Sequence, residues 1–375
     1  MKVKIKLKKF MFIVITFLIS CFVLLVGIVL LYSPGKLTQY TDDKGNNIPE
    51  SISEKIFVET GGVKQGMLIR RKDLKNPVLL YVHGGPAFPN YFLIDKYNPG
   101  LEDFFTVCYW EQRGGGLSYT PQVELESMNL NQFASDAVEV TNYLRKRFGK
   151  EKIYIMAHSG GTTLALLAVS KNPELYHAYI AMAQITKQMD SEKIAYTYML
   201  EQYKNARNQK RANALMKYSV LSSDSEVVSF YKSGLRDMAM HELGIGTMHQ
   251  MSSVFRDIFI PVWTCKAYTF REKINIWKAK FSFLPKTNLN NEILHTDFTE
   301  RVQKIDVPVY FLSGKFDLTV NIDMSKRYLE KLQAPQKGFY TFEKSAHSPL
   351  FEEPGKVRQI IQQDILRFKT DLADK

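Results

Sequence analysis

The chain has 375 residues, 45% hydrophobic and 23% charged, enough apolar material for a large core and too little charge for a disordered protein. Its formal net charge of +12 does not call for a nucleic-acid partner, because Lys2, Lys4, Lys6, Lys8 and Lys9 crowd the first nine residues. Of three cysteines, Cys21 lies in an apolar run, so Cys108 and Cys265 allow at most one disulfide.

The basic start, residues 1–9, leads into 23 uncharged positions from Phe10 to Tyr32, filled mostly by Phe, Ile, Leu and Val. That length predicts a transmembrane helix over 10–32, and the preceding lysines predict a cytoplasmic N-terminus. A cleaved signal peptide shares this layout. The run is too long for a typical signal core, however, and Leu30, Leu31 and Tyr32 offer no small-residue cleavage pattern. The expectation is a single-pass protein of the cell membrane, held in the bilayer through 10–32, with a polar linker at 33–49 and the remainder on the non-cytoplasmic side.

Beyond the linker, ISEKIFVETGGVKQGMLIRRK predicts a hairpin turning at Gly61 and Gly62. Short apolar runs at 77–82, 104–110, 153–157, 179–183, 307–312 and 338–342 predict strands. Helical patterns separate several of them, such as NQFASDAVEVTNYLRKRFG from Asn131, with Phe133, Val138, Val140 and Leu144 grouped on one side. This alternation predicts an α/β protein with a mostly parallel sheet covered on both faces. Residues 186–299 break the rhythm with helical stretches and no strand, including a capping-box pattern from Ser223 to Glu226. They are expected to form a helical cap inserted in a core of 50–185 and 300–375, over the carboxyl edge of the sheet.

In IYIMAHSGGTTLAL, residues 153–166, a strand passes into a helix with almost no loop, and Ser159 stands at the turn. Such an elbow has the form small-x-Ser-x-Gly, here Ala157 to Gly161. Serine needs a base to take its proton and a third group to orient that base. Asp317 and His347 follow Ser159 in the required order, each beyond a predicted strand. Attack on a carbonyl also needs amides to hold the oxyanion. Gly160 is expected to supply one, and the loop His83-Gly84-Gly85-Pro86 the other, with Gly85 the first choice and Gly84 next. His83 is expected to pin that loop.

HGGP at 83–86, EQRGGGLS at 111–118, HSGGTTLAL at 158–166, GKFD at 314–317 and AHSPLFEEP at 346–354 together resemble the α/β-hydrolase fold serine hydrolases, and within them the proline iminopeptidase branch. The likeness spans roughly 55–185 and 300–370. Ala87 stands where the branch usually has a further glycine, Glu111 where it has aspartate, and Ala157 at the elbow's first glycine. The resemblance implies an aminopeptidase working through an acyl-enzyme, with no cofactor, on a peptide or other small-molecule substrate. In the branch, cap acids bind the substrate's free amine. Glu201, Glu242 and Asp237 are the candidates here, with Gly84 also at the substrate.

Two alternatives stand beside this reading. The cap's Met238, Met240, Met248 and Met251 could line an acyl pocket, which fits an esterase or lipase acting on ester substrates. A non-catalytic hydrolase-fold binding protein would have no need of the ordered triad. Glu111, Gln112 and Arg113 are expected to organise their loop, and Glu352 and Glu353 to cap the helix that follows Pro354. His241-Glu242 begins like a zinc-protease motif, but Ile245 occupies the second histidine's position, so no metal is expected.

Overall fold

A computed structural model describes residues 2–375, with side chains from residue 8 onward; Met1 and the lysine side chains at 2, 4 and 6 lie outside the described residues. Eight strands form one sheet: β1 (Ile52–Thr60), β2 (Val63–Arg71), β3 (Val78–Val82), β4 (Thr106–Trp110), β5 (Ile153–His158), β6 (Tyr176–Met182), β7 (Val309–Gly314) and β8 (Lys337–Phe342). Their order is β1-β2-β4-β3-β5-β6-β7-β8. β1 and β2 make the expected hairpin, in which Thr60 pairs with Val63 across a two-residue turn. Gly61 and Gly62 take φ of 56° and 74°, the left-handed pair that such a turn requires. β2 is antiparallel to β4, and from β4 to β8 every pairing is parallel.

β3, β4 and β5 are buried at every position, which is why they read as unbroken apolar runs rather than alternating ones. Successive residues still point to opposite faces. Leu80, Cys108 and Ile155 enter one core, and Leu79, Tyr109 and Tyr154 the other. On the first face the helix Leu130–Phe148 buries Phe133, Ala137, Val140 and Leu144, and Val138 stays at the margin. Asn129 opens that helix by accepting from Gln132 N at 2.9 Å, and Gly149 closes it at φ 60°.

Among the described residues, 186–299 contain helices and turns but no strand. The expected long helices are interrupted. Gln188–Asn205 and Gln209–Leu215 are parted at Arg207, which takes φ 55°. Asp224–Tyr231 and Gly234–Glu242 are parted at Ser233, which caps the second. Ser223 accepts from Glu226 N, but Glu226 turns to Ser219 N, so the box is half formed. The first half of the cap builds a core of its own around Met199, Val227 and Phe230. Residues near its end, Ile276, Phe283 and Leu289, join the two cores beside the sheet.

The helix Lys2–Leu31 stands apart, and its stretch Lys8–Leu31 is 24 residues long and apolar enough to cross a membrane. The polar segment 33–49 runs along the body and touches it at several points. Lys36 N donates to Lys266 O at 3.0 Å, Pro34 bridges Thr269, and the Arg70 guanidinium lies 4.1 Å from the Tyr40 ring.

Candidate active site

β5 enters Ser159 and the helix Gly160–Lys171 leaves it, with φ 52° and ψ −126° at the serine. A non-glycine residue in that region carries strain of about 1–3 kcal/mol, sustained only where the surroundings over-determine it. Crowding here does so. A methyl group at Gly161 would lie 2.5 Å from His83 O, and one at Gly84 would lie 2.8 Å from Ser159 Cβ. The β3 loop therefore passes directly against the elbow.

Loops after β7 and β8 bring the other two residues. Ser159 Oγ donates to His347 Nε2 at 2.7 Å, and His347 Nδ1 donates to Asp317 Oδ2 at 2.8 Å. The second carboxylate oxygen accepts from Val320 N at 2.9 Å, which fixes the acid behind the ring. Asp317 and His347 are buried, and Ser159 is half-buried. All three stand at the carboxyl ends of parallel strands, as the sequence indicates.

Gly85 takes φ 67° and turns the loop so that Phe88 N donates back to Gly85 O at 2.7 Å. A methyl on Gly160 would sit 3.4 Å from Gly85 N, so the two glycines face one another beside Ser159. Gly160 is the first residue of its helix, where the amide has no partner in the preceding turn. His83 pins the loop as expected: Nε2 accepts from Gln112 N at 3.2 Å and its carbonyl accepts from Gln112 Nε2 at 2.7 Å. Burial pushes its imidazole down to about 4, so it stays neutral.

The EQRG run organises the loop without entering the chemistry. Arg113 makes a paired contact with Asp136 at 2.9 Å through both Nε and Nη2. Glu111 accepts from Leu117 N at 2.6 Å and from the Tyr268 hydroxyl, which reaches it from the cap. Burial pushes the Glu111 carboxyl up to about 8.

Sequence reasoning missed three positioning groups. His158 Nε2 donates to His347 O at 2.8 Å, and burial, helped by the neighbouring His347, pushes its pKa down to about 3. Glu352 and Glu353 do not cap the helix Pro354–Gln363. Glu352 accepts from Ala346 N at 2.9 Å and His249 N at 2.6 Å, while Glu353 accepts from Ser345 Oγ at 2.6 Å. Both brace the turn that carries His347. The shared AHSPLFEEP run contained them, but it gave no sign of which amides they would meet.

A cavity of about 320 Å³ opens over Ser159 and His347. Gly84, Gly85, Phe88, Met251, Ile258 and Lys280 are among its lining residues. Of the three cap acids, Asp237 lines it. Glu201 is exposed elsewhere, and Glu242 is held by Arg211 Nε at 2.9 Å and the Tyr203 hydroxyl at 2.8 Å. The folding of the cap turns both away from the site. Met240 and Met251 reach the cavity wall, and Met238 and Met248 do not. Among the described residues no cluster of three metal-ligating side chains occurs.

The sequence family described as the alpha/beta hydrolase fold matches residues 77–354. The chain belongs to the α/β-hydrolase fold family. Within it, this α/β hydrolase is similar to the proline iminopeptidase branch. It is 33% identical over 315 residues to a probable aminopeptidase, YbaC, of Bacillus subtilis, covering 82% of this chain and 95% of the relative. A proline iminopeptidase of Heyndrickxia coagulans is 23% identical over 290 residues, 76% of this chain and 88% of that one. Among solved structures, the proline iminopeptidase of Mycobacterium smegmatis superposes with a TM-score of 0.61 at 14% identity, over 84% of this chain and 98% of that one. At that identity the superposition speaks for the fold alone.

Proposed function

We propose that this hydrolase is a membrane-anchored serine aminopeptidase, working through an acyl-enzyme as the resemblance to proline iminopeptidases suggests. The observation that carries the reading is the unbroken relay of 2.7 Å and 2.8 Å from Ser159 through His347 to Asp317, at the floor of the cavity. His347 Nε2 takes the hydroxyl proton as Oγ bonds to the substrate carbonyl carbon. Asp317 holds the ring in the tautomer that can accept it and stabilises the imidazolium. The oxyanion lies against the amides of Gly85 and Gly160. His347 then passes the proton to the leaving amine, and water releases the acyl group by the same steps in reverse order. Asp237 on the cavity wall is the acid in reach of a substrate's α-ammonium, with Gly84 beside the reacting carbonyl.

The proposed organisation has a basic cytoplasmic start at 1–9, an anchor at 10–32, a core of 50–185 and 300–375, and a cap at 186–299, with the core outside the cytoplasm.

An ester-cleaving reading has one observation in its favour. Asp237 already pairs with Arg236 Nη1 at 2.8 Å, so part of its charge is spent before an amine arrives. The two readings separate on proline arylamides against short-chain aryl esters; ester cleavage with no arylamide turnover removes the aminopeptidase assignment. A fluorophosphonate probe is expected to label the wild-type chain and not Ser159→Ala. Absence of labelling on the wild type, with a control hydrolase labelled in parallel, removes the serine mechanism altogether.

A further inference from the structure

We propose that one aromatic face of the cap, from Val254 to Phe281, rests in the headgroup region of a lipid bilayer, with the catalytic cavity opening beside it; this rests on the anchored reading above. Phe255, Phe259, Phe270 and Phe281 are 61%, 39%, 46% and 67% exposed. Apolar residues scattered singly over a surface need no explanation, but a contiguous strip does. These rings form one. Phe255 meets Phe259 at 5.0 Å between ring centres, Phe259 meets Trp277 at 5.5 Å, and Trp277 stacks on Phe281 at 5.8 Å.

What covers the strip is set by its continuity with the apolar helix. Phe259, Trp263 and Phe270 line a cleft of about 520 Å³ whose other wall is Leu25, Val26, Val29 and Leu30. The join is held from below: Lys273 Nζ donates to Tyr32 O and Trp263 O, both at 2.6 Å, and to Ser33 Oγ at 3.1 Å. Any apolar phase that takes up the end of the helix therefore meets the aromatic strip as well. Exposed cations, Arg256, Lys266, Arg271 and Lys278, flank the rings, the composition that settles at a bilayer interface and favours anionic headgroups.

The same strip reaches the chemistry. Val254, which is 51% exposed, and Ile258 line the cavity that holds Ser159. Lys280 stands between the two, 4.3 Å from the ring centre of Phe88 in the cavity and 5.8 Å from that of Phe281 on the strip. A substrate with an apolar tail resident in the interface thus has a short path to the nucleophile.

The test uses the full chain in vesicles of phosphatidylcholine and phosphatidylglycerol, with acyl chains either ordinary or dibrominated. In Trp263→Phe the remaining tryptophans are Trp277 on the strip and Trp110 in the core. Emission is expected to fall by roughly a third or more in brominated vesicles, as for a ring at the interface. Trp263→Phe/Trp277→Phe should lose that response, and Phe255→Ser/Phe259→Ser/Phe281→Ser should weaken it. Equal emission of Trp263→Phe in both vesicles overturns the proposal, as does a response set by protein density, which would assign the strip to a second copy of the chain. Resistance to alkaline carbonate, measured on the same vesicles, reports the anchor separately. Quenching decides the cap's position whichever way the carbonate result falls.

Discussion

Gly314 ends β7, three positions before Asp317, and a methyl group there would lie 1.8 Å from Ala346 O and 2.5 Å from Ser345 O. The carbonyls belong to the turn that holds His347, so Gly314→Ala must displace either that turn or the strand end. Overpacking of this kind costs about 1–3 kcal/mol in stability, which a domain of this size can survive. The relay is less forgiving, since misplacement by about 1 Å can cost on the order of a hundredfold in rate. The variant is expected to stay folded by circular dichroism while kcat/KM on a cleaved substrate falls by about that factor. Ala87 presents the opposite case. It takes φ 55° and is fully buried, where the proline iminopeptidase branch usually has glycine. Relieving a left-handed alanine gains about 1–2 kcal/mol, and losing its buried methyl costs about 0.8 kcal/mol. Ala87→Gly is therefore expected to be neutral to slightly stabilising, with a melting shift of no more than about 4 °C; a clear loss would mean that the packing of the buried methyl outweighs the relief of the backbone.

Between elements, Glu111 is the main polar link from the loop after β4 to the cap, through Leu117 N and the Tyr268 hydroxyl. Its folded pKa of about 8 lies above the ordinary carboxyl value of 4.5 because burial disfavours the carboxylate. Between those two values the folded chain holds a proton that the unfolded chain has released. The contribution of this group to stability is complete below the lower value and is lost as pH rises through the folded one. Glu111→Gln keeps an acceptor for Leu117 N and offers the Tyr268 oxygen an amide donor in place of the acceptor it had, without any charge to bury. Melting temperatures at pH 5, 7 and 9 should therefore decline less in the variant than in the wild type; identical slopes would dismiss the buried carboxyl as the cause. The elements themselves were readable in advance to different degrees. β3 to β8 announced themselves as short apolar runs, since strands covered on both faces leave little room for polar residues; these gather at strand ends and margins, as Lys337 and Thr341 do in β8. Ser159, Asp317 and His347 were readable because each directly follows one of those strands. The break at Arg207 has neither glycine nor proline to announce it, and its local signal is the weaker one of Asn208, which caps the next helix by accepting from Arg211 N at 3.2 Å. Glu201 and Glu242 were misplaced because nothing local records how the cap folds, in particular that Arg211 and Tyr203 would claim Glu242. Glu352 finds its amides at Ala346 and at His249, the latter 103 positions away, a partnership that no local pattern contains.

For the whole molecule, the apolar helix is joined to the hydrolase body by Lys273 together with the pairing of Lys36 N with Lys266 O and the bridge from Pro34 to Thr269. Lys273 is fully buried, and burial pushes its ammonium down to about 8. Below that pH the folded chain keeps a desolvated cation, in exchange for three hydrogen bonds to Tyr32 O, Ser33 Oγ and Trp263 O. As pH rises from about 8 to the ordinary lysine value of 10.5 the unfolded chain binds the extra proton, so the group's contribution to stability increases across that window. Lys273→Met leaves two carbonyls without this donor, at about 1–3 kcal/mol each, and at the same time removes the penalty of the buried charge. The two effects oppose one another, and the global melting temperature is expected to change little. The local join has no such compensation, because the hydrogen bond from Lys273 to Tyr32 O is lost outright and only weaker contacts, such as the Lys266 ammonium 5.9 Å from the Tyr32 ring centre, remain there. Trypsin should consequently cut after Lys36 faster in the variant, by about tenfold if some 1.4 kcal/mol of local closure is lost. Mass spectrometry of the released 37–375 fragment measures the rate. Equal rates in variant and wild type would mean that the pairing of Lys36 N with Lys266 O and of Pro34 with Thr269 suffices to hold the helix against the cap.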